Sequence, residues 1–395
     1  MNNEKLSFQE INDTLSFAKN NISDDAVERV LSKITNNASS FTDEETAILL
    51  YAPPEFHEMI FNKAKEVNDR IYGKVRFFYG VVYVSDFCIE TCTYCGDNIC
   101  SGRKYFHTLS PKQFINDVRK LLKSNPSLRE ICLLSGNNLW STSKWIEYIS
   151  QVFEIYDNEL SLNINPFNSD GFREIRQAFP DKKLQFRVFQ ETYDASIYNE
   201  LQPDYKSIQN EIPPSNIVFL NKNGITIPSK KDFNYRLNSQ DRALEAGFDN
   251  YGIGVLLGLN NGMHKSFFEV LAMKKHSEYL YNKYAKWAKT ISFPRIRISE
   301  GINYKIPAGV SDNELERIIS VTRIVLPNSH LVMTCRETEK FRSKIRPIIN
   351  IEDFAARPGP GGNSIRNVTY QMEIEDKRTG EKVRKNIEEE GYNIK

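Results

Sequence analysis

FCIETCTYCG, residues 87–96, sets three cysteines, Cys88, Cys92 and Cys95, at spacings of four and three. Thiolates so spaced fold over one iron–sulfur cubane and ligate three of its irons, leaving the fourth iron without a protein ligand. An open metal position is a site for a small molecule, as the open position of a catalytic zinc is. The run 78–87 is apolar and β-branched and reads as a strand, so the loop lies just beyond a strand's C-terminal end. The competing reading is a structural zinc site in a non-catalytic module, with Cys100 as fourth ligand.

Outward from that strand the chain alternates. Strands are read at 130–134, 160–164, 184–189, 251–257, 290–293 and 331–334. Helices are read at 111–123, 143–156, 169–179, 239–246, 264–287, 313–325 and 339–348. This alternation predicts an α/β fold, a parallel (β/α) TIM-type barrel, full or partial. Residues 1–75 carry helical patterns, with Thr42 and Glu45 placed as a capping box, and form an expected N-terminal helical extension. Residues 76–365 are assigned to the barrel and 366–395 to a charged C-terminal tail, a solvated helix with Tyr392 near its end. The polar, proline-bearing stretch 203–228 is too long for a βα loop and reads as a lid or a surface insertion.

Composition excludes several classes of function. Lys and Arg number 52 against 51 Asp and Glu, which leaves no electrostatic footprint for nucleic acid or an anionic membrane. The apolar runs are strand-sized, short of a membrane span, and the N-terminus shows no secretory pattern. A cytoplasmic protein is expected. Four of the six cysteines fall within thirteen residues, which in a reducing compartment points to metal binding, not disulfides.

Five further stretches follow the cysteine loop in order: FQETYD at 189–194, GVLLGL at 254–259, SFPRIR at 292–297, TCRE at 334–337 and PGG at 360–362. Together with the loop they resemble the aromatic amino acid lyases of the radical S-adenosylmethionine superfamily, over residues 75–365. The nearest resemblance is to the tyrosine lyase type of thiamine biosynthesis (2-iminoacetate synthase). It implies a [4Fe–4S] cluster on Cys88, Cys92 and Cys95, S-adenosyl-L-methionine on the open iron, and Tyr94 near the adenine. It also implies a reductant such as flavodoxin or ferredoxin. Arg336 matches the arginine that holds the carboxylate of a small amino acid substrate. In such lyases a 5′-deoxyadenosyl radical takes hydrogen from the substrate amino group and the Cα–Cβ bond then breaks. Tyrosine, giving 2-iminoacetate and p-cresol, is the first expectation. Tryptophan, another amino acid, or a mutase reaction of the methylornithine type is the second.

Gln190, Glu191 and Asp194 follow a strand and so belong at the C-terminal mouth, where barrel enzymes keep reactive groups. Their oxygens can accept bonds from ribose hydroxyls, although Thr192 or Asp194 would serve equally as a helix N-cap. Arg336 follows the strand 331–334 and is expected to face the cysteine loop across the mouth. It can grip a carboxylate bidentately or pair with Glu337 or Glu339. Arg295 and Arg297 alternate along a strand and should point the same way, toward the cofactor, the substrate or a buried ion-pair layer.

Three features depart from the family. Asn137 stands where these enzymes commonly carry the glutamate that helps hold the methionine amino group; its amide oxygen can accept a bond but adds no charge. Asp97 replaces an aromatic residue after the loop glycine, and the 203–228 stretch is extra. These differences bear on the substrate, not the cofactor. No cysteine follows Cys335, so the second cluster of the hydrogenase-maturation relatives is not expected.

Overall fold

Eight short parallel strands close on themselves: β1 (Val75–Ser85), β2 (Glu130–Ser135), β3 (Glu159–Asn163), β4 (Leu184–Arg187), β5 (Asn250–Gly254), β6 (Thr290–Ser292), β7 (His330–Met333) and β8 (Ile351–Asp353). Each pairs with the next, and β8 returns to β1 with Phe78 opposite Glu352. The barrel is therefore the full, closed form. The computed structural model describes residues 6–34, 40–101, 106–204, 229–298, 302, 304–365 and 371–395. Of the stretch 203–228, residues 205–228 lie outside the described residues.

Seven strands fall where the apolar runs predict them. The eighth, Ile-Glu-Asp, has no strand signature, because two of its three side chains are acidic. Both acids are buried, and arginines make that possible. Arg342 lies 3.0 Å from Glu352 and 3.1 Å from Asp353, and Arg346 lies 2.6 Å from Glu352. Burial alone would raise the Glu352 carboxyl, yet Arg346 and Arg342 hold it below the usual range.

The N-terminal helices Asp43–Tyr51 and His57–Tyr72 pack against the barrel's outer helices Lys265–Tyr284 and Asp312–Val325. The expected capping box is present, with Thr42 and Glu45 bonding each other's backbone N–H groups. Arg317 fastens the layer by donating to the Leu49 and Ala52 carbonyls at 3.0 and 2.8 Å.

The C-terminal helix Gly380–Glu389 exists, but it is not simply solvated. Val383 and Ile387 are fully buried in the same apolar cluster as Phe78, Leu121 and Phe354. Asp376 binds Arg342 at 2.8 Å, and β9 (Asn393–Ile394) adds to the start of β1. Tyr392 places its ring over the Arg76 guanidinium, 4.1 Å away. High charge hid a narrow apolar face. No helix among the described residues is long and apolar enough to cross a membrane.

Replacing Arg342 with alanine strands Glu352, Asp353 and Asp376 without their shared cation. The expected loss is about 3–5 kcal/mol of unfolding free energy, measured by denaturant titration. A change below about 0.5 kcal/mol would show that the network does not hold the barrel shut.

Candidate active site

The cysteine loop leaves β1 at a register shift between Tyr83 and Ser85 and folds over the end of β2. Ile89 N–H donates to the Asn137 carbonyl at 3.1 Å, and Ile99 N–H to the Glu90 carbonyl at 2.9 Å. Gly136 permits this approach: a Cβ there would stand 2.5 Å from the Phe87 carbonyl oxygen and 2.8 Å from the Cys88 Cβ.

Cys88 and Cys92 are buried, Cys95 is half-buried, and all three line one cavity at the C-terminal mouth. The Asn137 N–H points at Cys88 Sγ from 3.3 Å, and Gln371 Nε2 at Cys95 Sγ from 3.6 Å. Burial pushes the Cys88 thiol well above its ordinary value, raises Cys92, and takes Cys95 up to about 12. Thiols so placed become thiolates when a cationic metal centre holds them. Among the described residues no three Cys, His or acidic side chains converge as a single metal ion requires. A cubane makes a different demand, since its three thiolates bind three separate irons. The loop residues fit such a cluster. Cys100 does not line the cavity.

The structure brings Tyr94, Asn137, Glu191, Arg297 and Arg336 to the same cavity as the cysteines, whereas Gln190, Asp194 and Arg295 do not line it. Asp194 caps the helix Ala195–Leu201, accepting from the Ser196 and Ile197 N–H groups at 2.9 and 3.1 Å. Gln190 is buried behind the rim, and its Nε2 has no hydrogen-bond partner among the described residues. Glu191 sits at φ 72°, in the left-handed region, which for a non-glycine residue marks local strain. Burial alone would raise its carboxyl, but Lys230 at 2.7 Å and Arg236 at 3.3 Å bring it below the usual carboxylate range.

The arginines divide their work. Arg295 meets Glu337 through Nε at 3.0 Å and Asp312 at 2.8 Å, an ion-pair role away from the cavity. Arg297 lines the cavity and pairs with Glu375 at 3.2 Å. Arg187 and Arg236, also in the lining, pair with Glu130 at 3.1 Å and Glu191 at 3.3 Å. Arg336 makes no ion pair among the described residues; its one side-chain hydrogen bond runs from Nη1 to the Arg295 carbonyl at 3.4 Å. Nor does it stand across the mouth from the cysteine loop. The strand order places only β8 between β7 and β1, so the end of β7 lies two strands from the cysteine loop around the rim.

Several lining residues lay outside the expected set. Glu90 was in plain view within the cysteine loop. Lys230 and Arg236 follow the 203–228 stretch, where no site residue was expected. Asp353 and Gln371 carried none, since β8 itself could not be read. Glu269 lies outside the cavity but holds the strained turn, accepting from Tyr193 N–H at 2.8 Å and Asn260 Nδ2 at 2.7 Å, and also from the Thr192 hydroxyl.

Comparisons agree with this geometry. The Biotin and Thiamin Synthesis associated domain family matches residues 292–393. The 2-iminoacetate synthase of Salmonella typhimurium is 26% identical over 348 residues, covering 85% of this chain and 80% of that protein. Among solved structures, HydG, a maturase of the [FeFe]-hydrogenase, superposes with a TM-score of 0.83 at 24% identity, over 98% of this chain and 79% of its own. Methylornithine synthase superposes with a TM-score of 0.70 at 16% identity, over 94% of this chain and 97% of its own. At these identities the two structures speak for the fold.

Gly136→Ala should crowd Phe87 and Cys88 and displace the loop. The expected result is a stability loss of about 1–3 kcal/mol, with lowered iron per chain after anaerobic reconstitution. Unchanged iron and stability would mean that the loop does not depend on this contact.

Proposed function

The chain is a relative of the radical S-adenosylmethionine amino acid lyases, and on that premise we propose that it splits the Cα–Cβ bond of an L-amino acid, tyrosine first, to 2-iminoacetate and p-cresol. One observation carries the reading. Of the four arginines lining the cavity, three are ion-paired and Arg336 makes no ion pair among the described residues, although it is half-buried beside the cysteines. A guanidinium so placed is stabilised by an incoming anion, and the planar fork suits a carboxylate.

Cys88, Cys92 and Cys95 would hold a [4Fe–4S] cluster with S-adenosyl-L-methionine at its open iron. When bound, and reduced by a one-electron donor such as flavodoxin or ferredoxin, that pair supplies a hydrogen-abstracting adenosyl radical. The chain's own residues supply orientation. Arg336 fixes the substrate carboxylate, which directs the amino group and side chain of the same carbon. Tyr94, Leu256 and Pro294 contribute apolar wall that keeps water from a reactive intermediate. Tyrosine is favoured because its departing side chain is a delocalised benzylic radical, and because the curated relative is named a 2-iminoacetate synthase.

Cys88→Ser, Cys92→Ser and Cys95→Ser should each lower bound iron and abolish S-adenosylmethionine cleavage, whereas Cys100→Ser should keep both. Iron loss in the Cys100 variant equal to the other three, or zinc alone in the wild type, would overturn the assignment.

Arg336→Ala should leave slow, uncoupled cleavage of S-adenosylmethionine and reduce productive turnover about 30-fold or more. Wild-type coupling would make Arg336 a structural residue. Product analysis by mass spectrometry with a panel of amino acids should give p-cresol and glyoxylate (from hydrolysis of 2-iminoacetate) with tyrosine. An isomerised amino acid of unchanged mass would reject the lyase in favour of a mutase.

A further inference from the structure

Reduction of an iron–sulfur cluster adds a negative charge that its sulfurs share. An N–H group aimed at a cluster sulfur therefore stabilises the reduced form more than the oxidised one, and raises the reduction potential. Gln371 Nε2 points at Cys95 Sγ from 3.6 Å, and both residues line the cavity. The donor stands 276 positions from its acceptor, on the segment that follows the barrel.

That segment is fixed on both sides of the site. Gln371 N–H donates to the Pro358 carbonyl at 2.8 Å, and Pro358 belongs to the loop around the PGG stretch. Asn363 anchors this loop to Asp117, through its N–H at 3.0 Å and its Nδ2 at 2.8 Å. Further along, the Glu375 and Asp376 N–H groups share the Cys335 carbonyl at 3.0 and 3.1 Å. Glu375 also meets Arg297, and Asp376 meets Arg342. A side-chain amide on a segment held at so many points keeps its direction, with no reorganisation required when the charge arrives.

From this placement we infer that Gln371 is a positioning residue that acts through Cys95 to raise the cluster's reduction potential, so that the C-terminal segment serves the redox step as well as the fold. The inference rests on the [4Fe–4S] cluster proposed above. One electron comes from the donor named there, and no proton moves: the N–H stays on Gln371 and its hydrogen bond strengthens.

The test reads a potential, not turnover. Reconstituted protein is titrated anaerobically with dithionite and redox mediators, and the reduced cluster is followed by electron paramagnetic resonance. Gln371→Met, similar in length but lacking the N–H, should keep full iron and sulfide while its midpoint moves negative. At the wild-type midpoint its ratio of reduced to oxidised cluster should fall about threefold or more. Gln371→Glu removes the donor and adds a negative charge, and should move the midpoint further. In D2O, electron–nuclear double resonance should show one exchangeable deuteron coupled to the wild-type cluster that both variants lose, a signal that altered packing alone would not remove.

If Gln371→Met alone fails to hold the cluster, Gln371→Glu gives the reading. A wild-type midpoint in a variant with full iron would overturn the inference and leave the proposed function intact. Loss of iron in both variants would also overturn it, making Gln371 a residue of the loop's fold. Zinc alone in the wild type would remove both the inference and the function it rests on.

Discussion

Arg342 and Arg346 meet Glu352, Asp353 and Asp376 almost without solvent, and closure of the barrel depends on that meeting. β8 contributes only three residues, two of them acidic. Carboxylates buried without cations would be expelled or neutralised, and the strand with them. With the arginines present, β8 joins β7 to β1. The joining brings Arg336, just after β7, and Cys88, just after β1, to the lining of one cavity. Asp376 brings the preceding segment inward, and Gln371 and Met372 complete the cavity wall. The ion network at the barrel's side therefore shapes the chemistry at its mouth.

The rim has its own economy of charge. Glu191 neutralises two cations, Glu337 engages Arg295, and Glu375 engages Arg297, whereas Arg336 makes no ion pair among the described residues. The strained backbone at Glu191 costs about 1–2 kcal/mol and persists because its surroundings hold it. Its carbonyl accepts the Leu256 N–H at 2.8 Å, and Glu269 clamps the next two residues of the turn. Rigid support of this kind turns a rim glutamate into a fixed counter-ion for Lys230 and Arg236.

How far the sequence could be read is clearest in particular residues. The cysteine loop, seven strands and the capping box at Thr42 were legible, because each is a local pattern of spacing, periodicity or capping chemistry. Tyr94, Asn137, Glu191, Arg297 and Arg336 were named in advance and share one cavity. Asp194 and Arg295 came from the same stretches, yet one caps a helix and the other sits in an ion pair. Their sequence context was identical in kind to that of their neighbours. The C-terminal helix was read as solvated because two apolar side chains, Val383 and Ile387, among many charges give a weak periodic signal.

The sequence by itself determined the alternation of strands and helices and a cysteine spacing that fits a cluster with an open iron, since these properties depend on residues close together in the chain. Only the tertiary structure decided that the barrel closes, that Arg336 has no carboxylate partner among the described residues, and that Glu90 faces Asn137. Each of those depends on which charges meet after the chain has folded. Such meetings join residues on different elements, whether six positions apart as Arg346 and Glu352 are or 47 apart as Glu90 and Asn137 are, and no periodic or capping pattern encodes them.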